Sequence, residues 1–183
     1  MKKNKKLSLE ELKRISVNEF KISPKLPLIV ILDNIRSLNN VGSFFRTCDA
    51  FRVEKLYLTG GTGCPPNKEI YKTALGAENS VEWEYHTDIM ELITALNKKG
   101  YQIVVAEQTE HSIALTYFEP QPKTALVFGN EVNGVNDSVI ENADYCIEIP
   151  QYGTKHSLNV AVSAGIIIHY FSDYLLKHYN IKI

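Results

Sequence analysis

The sequence predicts an α/β fold, a mostly parallel sheet covered by helices on both faces. Three observations predict it. Short β-branched-rich runs alternate with helical patterns from residue 28 onward. Those runs are apolar throughout rather than apolar on one side only, the mark of strands buried on both faces. At 183 residues, 44% hydrophobic and 22% charged, the chain has the composition and length of one packed domain with a short extension.

In chain order, "SLEELKRISVNEF" (8–20) reads as a short amphipathic helix opened by Ser8, with Glu11 three residues on as in a capping box. Pro24 and Pro27 break it. The strand "LIVILD" (28–33) follows, then a helix over 40–52 with Asn40 as its N-cap. In that helix Val41, Phe44, Phe45, Cys48 and Phe51 recur at helical spacing and form the core face. At roughly 100° per residue, Arg46 points almost opposite to that stripe. It is either a solvated arginine or one aimed at a phosphate, a hydroxyl or another subunit.

"KLYLTG" (55–60) is the second strand, with helical patterns at 67–76 and 87–99 after it. "QIVVAE" (102–107) and "TALVFG" (124–129) are further strands. "LVFGNEVNG" (126–134) then turns sharply through Gly129, Asn130, Glu131 and Gly134, where a ligand can approach the backbone or Glu131 can simply favour the helix at 135–143. "YCIEIP" (145–150) is the last strand, and Pro150 and Gly153 shape the loop beyond it. Ser157 or Asn159 opens the final helix, 157–178, whose free N–H groups make a seat for a polar ligand. That helix is apolar almost all round. One side faces its own sheet, and the outward side, with Ile167 on it, is expected to face a second copy of the chain.

The bulk properties exclude several classes. A net charge of −1 gives no basis for nucleic-acid binding from total charge. The one basic cluster, Lys2, Lys3, Lys5 and Lys6, is a solvated terminus or an arm for phosphates. Cys48, Cys64 and Cys146 lie too far apart for a disulfide framework or a zinc site. His86, His111, His169 and His178 lack metal-ligand spacing, so no metal is expected, and His156, the one candidate general base among the histidines, stands without a carboxylate partner. No membrane span or signal peptide is evident, and a cytoplasmic location is the expectation.

Taken together and in order, three stretches resemble the SpoU/TrmH-type RNA 2'-O-methyltransferases of the SPOUT superfamily. They are "NNVGSFFRTCDAF" with Asn40, Gly42 and Arg46; "LVFGNEVNGV" with Gly129, Asn130, Glu131 and Gly134; and "IEIPQYGTKHSLNVAVSAG" with Pro150, Gly153, Ser157, Leu158 and Asn159. The similarity spans roughly residues 27–175, leaving 1–24 as a lysine tail and short helix ahead of a 25–183 methyltransferase domain. The resemblance implies a C-terminal trefoil knot, which is rare among folds, a homodimer through the last helix, and S-adenosylmethionine as methyl donor. It further implies a cofactor site formed by Glu107, Gly129, Asn130, Gly134, Ile149, Pro150, Gly153 and Leu158. The catalytic set implied is Arg46, Asn40, Glu131, Ser157 and Asn159, acting on a ribose 2'-hydroxyl of tRNA or rRNA. A catalytically silent RNA-binding paralogue is the alternative. Its signature would be loss of one of those residues, and all are in place.

Overall fold

A computed structural model describes residues 4–8 and 10–183. After a first helix, α1 (Val17–Ile22), the chain alternates strand and helix: β1 (Leu26–Asp33), α2 (Leu38–Ala50), β2 (Val53–Thr59), α3 (Lys68–Ala74), β3 (Trp83–His86), α4 (Ile89–Lys98) and β4 (Gln102–Ala106). Then come β5 (Ile113–Ala114), β6 (Thr124–Phe128), α5 (Asp137–Glu141), β7 (Tyr145–Glu148) and α6 (Val160–His178). The seven strands form one sheet in the order β3-β2-β1-β6-β4-β7-β5, and every neighbouring pair is parallel.

Because side chains alternate across a strand, the apolar runs feed two cores. Leu28, Val30, Leu32, Val104, Leu126 and Phe128 meet Phe44 and Phe45 of α2, Ile70 of α3 and Ile168 and Phe171 of α6. Ile29, Ile31, Ile103, Val105 and Val127 meet Leu92, Ile93 and Leu96 of α4 and Val139 of α5. The predicted parallel sheet, with helices on both faces, is the sheet observed. Gly42 lets α2 sit tightly on α3: a Cβ there would fall closer than 3.0 Å to the Ile70 carbonyl.

Several local expectations change. Ser8 and Glu11 do pair reciprocally, at 2.7 and 3.2 Å, but only a turn follows. The helix starts at a second box, Ser16 with Glu19, and runs to Ile22 instead of filling 8–20. Residues 10–16 are all exposed, so no tertiary packing holds them helical, whereas Phe20 is buried in the core. Lys2, Lys3 and Leu9 lie outside the described residues; Lys5 and Lys6 are exposed.

The edge strands β3 and β5 were not predicted. "WEYH" is half-exposed and polar at alternate positions, and β5 has two residues, so neither shows an apolar run. Ser37, not Asn40, caps α2, its Oγ accepting the Asn40 N–H at 3.3 Å. That leaves the Asn40 amide for other work. On α6, Ile167 is buried against the chain's own core, correcting the outward placement; Val162 and Ile166 are the outward apolar residues, 52% and 41% exposed. Among the described residues, no helix is long and apolar enough to cross a membrane.

Phe44 is wholly buried, with its ring edge-on to Phe128 at 5.2 Å between centroids. Phe44→Ala is expected to lower the unfolding free energy by about 3–5 kcal/mol. Urea denaturation monitored by circular dichroism checks this, and a loss below about 1 kcal/mol would show that α2 does not depend on that packing.

Candidate active site

In a parallel sheet all carboxyl ends point the same way, so the loops leaving β4, β6 and β7 gather on one side. Together with the start of α6 they enclose a pocket of about 520 Å³. Phe128, Ile147 and Ile167 supply apolar wall, and Glu107, Gln108, Asn130, Glu131, Ser157 and Asn159 supply polar wall. This size and mixed lining suit a small organic ligand held by a few polar contacts.

One wall is the turn after β6. Asn130 and Gly134 exchange backbone hydrogen bonds at 3.0 and 2.9 Å. The Asn130 Oδ1 accepts the N–H groups of Val132 and Asn133 at 2.9 and 3.0 Å, while its Nδ2 donates to the Asn34 carbonyl at 2.8 Å. Gly134 has φ +70°, and a Cβ there would also lie closer than 3.0 Å to Glu107 Oε2. That same oxygen accepts the Val135 N–H at 3.1 Å, so Glu107 pins the turn to the end of β4. Gly129 packs directly under Gly134, where any side chain would strike backbone.

The sequence places Glu131 in this turn, and the fold brings it to the entry of α2. Its carboxylate accepts the Arg36 N–H at 3.0 Å, the Ser37 N–H at 3.1 Å and the Asn40 Nδ2 at 2.8 Å. Asn40 Oδ1 in turn accepts from Asn159 Nδ2 at 3.3 Å, and Asn159 Oδ1 caps α6 by accepting the Ala161 and Val162 N–H groups at 3.0 and 3.3 Å. Partial burial pushes the Glu131 carboxyl up, but the donors from Arg36, Asn40 and Ser37 outweigh it and hold the group below its ordinary value of 4.5. Glu131 is therefore a fixed anion, and its charge orients both amides in series.

The loop from Ile149 to Asn159 closes the other side. Gln108 Nε2 donates to the His156 carbonyl at 3.0 Å, tying this loop to the end of β4. Ser157 lines the pocket, and among the described residues its hydroxyl makes no hydrogen bond.

Of the residues expected at the site, Glu107, Asn130, Glu131, Gly134, Ile149, Ser157, Leu158 and Asn159 line the pocket. Asn40 joins them through its two hydrogen bonds, and Gly129 lies beneath the turn. Pro150 and Gly153 belong to the loop but are not in the pocket wall, and no atom lies within 4 Å of where a Gly153 Cβ would be. Arg46 is the exception. It is exposed on α2, makes no hydrogen bond or ion pair among the described residues, and is not brought to the pocket by its own chain. Gln108, Gln151 and Val132 also line the pocket and were missed. Gln108 had a readable signal, since it directly follows a strand end already singled out.

Fold and site thus define a class: a parallel α/β protein with a ligand pocket at its strand ends, closed by a Gly-Asn-Glu turn and the asparagine-capped start of its last helix. The chain belongs to the SpoU rRNA Methylase family, whose model matches residues 27–169. A tRNA (guanosine(18)-2'-O)-methyltransferase from Aquifex aeolicus is 32% identical over 145 residues, which are 78% of this chain and 67% of that protein. The crystal structure of an A. aeolicus TrmH/SpoU tRNA modifying enzyme superposes with a TM-score of 0.79 at 30% identity, covering 88% of this chain and 81% of the other. An AdoMet-bound rRNA methyltransferase from Sinorhizobium meliloti shares the fold at a TM-score of 0.76 and 24% identity, covering 83% of this chain and 61% of that one.

The Glu131 contacts predict a pH dependence. A carboxyl whose folded pKa is lowered adds stability that is present above its unfolded pKa and lost as pH falls through the folded value. Glu131→Gln should therefore be less stable than the parent at neutral pH, and the gap should close as pH drops below 4.5, the ordinary value from which Glu131 is depressed. Denaturant titrations across the acid range measure it; a gap independent of pH would show that the charge is not what holds the turn to α2.

Proposed function

We propose that this chain is a cytoplasmic S-adenosylmethionine-dependent methyltransferase that modifies a ribose 2'-hydroxyl of tRNA or rRNA. The observation that carries the reading is the Glu131–Asn40–Asn159 chain of hydrogen bonds, which joins all three motif stretches around one pocket. The family assignment supports it, as do the Aquifex relative named for guanosine 2'-O-methylation and the AdoMet-bound S. meliloti neighbour.

The pocket fits such a cofactor: its volume of about 520 Å³, the close-packed glycine turn and the Ile149–Leu158 wall suit an adenosine held largely by backbone. S-adenosylmethionine, when bound, supplies an electrophilic methyl group on sulfur. Gly129, Gly134, Ile149 and Leu158 shape its seat, Pro150 and Gly153 act from the loop outside the pocket wall, and Glu107 and Asn130 keep the seat in place. Asn40, Glu131, Asn159 and Ser157 position the ribose for in-line attack, where orientation contributes much of the rate. Glu131 is already committed to three donors, so its part is orientation. Arg46 gives up a proton too reluctantly to be a base; the 2'-hydroxyl proton leaves to water as the oxygen takes the methyl group, and Arg46 stabilises the developing alkoxide and holds the neighbouring phosphate.

Arg46 reaches a pocket only if a second copy brings it there. The exposed Val162 and Ile166 on α6, packed beside α2, supply the apolar face for that homodimer. Residues 25–183 form the methyltransferase domain, with the family's knot around β6, β7 and α6, and 1–24 form an accessory segment.

Calorimetry is expected to show S-adenosylmethionine and S-adenosylhomocysteine binding competitively, and labelled methyl should pass from the former to total tRNA or rRNA. Binding of RNA without binding of either ligand would leave the silent RNA-binding paralogue in its place. Arg46→Ala should lose on the order of a hundredfold in methyl transfer with cofactor affinity unchanged; near-normal turnover would move its role elsewhere. Ile166→Glu should give an inactive monomer by light scattering, and an active monomer would contradict the shared site.

A further inference from the structure

A second cavity, about 460 Å³, opens beside the first, and the two share Asn130 and Gly134 in their walls. The 130–134 turn is therefore a partition. Asp33, Asn34 and Arg36, where β1 leads toward α2, line the far side together with Asn133 of the turn itself. Nothing in the proposed methyl-transfer site uses these side chains.

Their hydrogen bonds sort them into frame and free groups. Asn34 is frame: its Oδ1 accepts the Gly61 N–H at 2.8 Å, and its Nδ2 donates to Asp33 Oδ1 at 2.7 Å. Asp33, 2% exposed, also accepts from the Thr59 hydroxyl at 3.3 Å. Asn130 is spent on the turn and on the Asn34 carbonyl. Asn136 is half spent, its Oδ1 accepting the Ser138 N–H at 3.1 Å. Two side chains are wholly unspent: the Arg36 guanidinium and the Asn133 amide make no hydrogen bond or ion pair among the described residues, although their backbone N–H groups do. A rigid polar frame thus presents one planar five-donor fork and one donor–acceptor amide to an open cavity.

Charge narrows the ligand. The buried Asp33 carboxyl opposes a bare phosphate, and the single guanidinium opposes a cation, so the cavity suits a neutral group with a hydrogen-bonding edge. An asparagine amide pairs with adenine N6 and N7, an arginine with guanine O6 and N7, and both edges belong to purines. Proteins that read RNA sequence do so on unstacked bases whose edges are free. We propose that this second cavity seats a purine base of the RNA strand, read by Asn133 and Arg36, next to the pocket where the methyl group is transferred. The inference rests on the RNA methyltransferase reading above.

The test uses the whole chain mixed with S-adenosylhomocysteine, so that the first pocket is filled, and then adenosine, guanosine, cytidine or uridine, followed by NMR. Adenosine or guanosine should shift the resonances of Asn34, Gly61 and Asn133, and the pyrimidine nucleosides should shift them less. Asn133→Ala removes only an exposed side chain and leaves the turn's backbone bonds, so it should fold normally. It should weaken purine binding about tenfold, the scale of a bidentate base contact, and raise KM for RNA by a similar factor while kcat stays within twofold. Arg36→Ala should act in the same direction. Purine shifts unchanged in both variants, no shift at these residues with any nucleoside, or equal shifts from inorganic phosphate alone would each overturn the proposal. Purine binding here without S-adenosylhomocysteine binding would instead defeat the methyltransferase reading and leave this cavity standing.

Discussion

The Glu131 carboxylate is the constraint on which the site's shape depends. It sits on a turn after β6 and accepts hydrogen bonds from the entry of α2, more than ninety positions earlier in the chain by sequence separations of 95, 94 and 91. Being an acceptor only, it forces the Asn40 amide to present its nitrogen. Asn40 must then present its oxygen to Asn159, and Asn159 has only its own oxygen left to cap α6. One charge thereby sets the direction of every hydrogen bond in the series. Asn40 could not serve as both relay and helix cap, and Ser37 takes the capping role.

The sheet makes that series possible. β6 lies between β1 and β4 in the strand order, so the loops after β1, β4 and β6 emerge side by side. The turn after β6 is fastened in three directions: by Glu131 to α2, by Asn130 to the Asn34 carbonyl after β1, and by Glu107 after β4 through the Val135 N–H. Such a turn is rigid because its fastenings come from separate elements. Two cavities can open on its two sides without either one deforming it.

How much of this could be read from the chain depended on how much burial each residue carries. The central strands were legible because both faces are buried and their apolar runs are unbroken; β3 and β5, at the edges, bury too little to leave that mark. Ser8 and Glu11 spelled a helix start, and their side chains do pair, but capping without packing gives a turn. Ile167 was misplaced because α6 is apolar nearly all round, and such a helix carries no directional signal. The site residues were legible as three clusters of turn and cap residues. Their wiring was not, because it joins positions 131, 40 and 159 through hydrogen bonds that no local spacing encodes.

The same wiring bounds what a single chain can do. Glu131 has three donors, and each Asn159 and Asn40 amide is used at both ends. Among the polar side chains facing the first pocket near α6, the Ser157 and Ser163 hydroxyls and the His156 ring make no hydrogen bond among the described residues. A hydroxyl can orient a substrate oxygen, but it cannot neutralise the negative charge that develops on a ribose 2'-oxygen as it attacks a methyl group. A fixed carboxylate nearby makes that charge more costly still, unless a cation is brought against it. Arg46 stands exposed on α2, outside its own pocket, with no partner among the described residues. A pocket whose Glu131 carboxylate and Asn40 and Asn159 amides are committed, and a cation with no partner among the described residues, are the two halves that the proposed second copy of the chain would join.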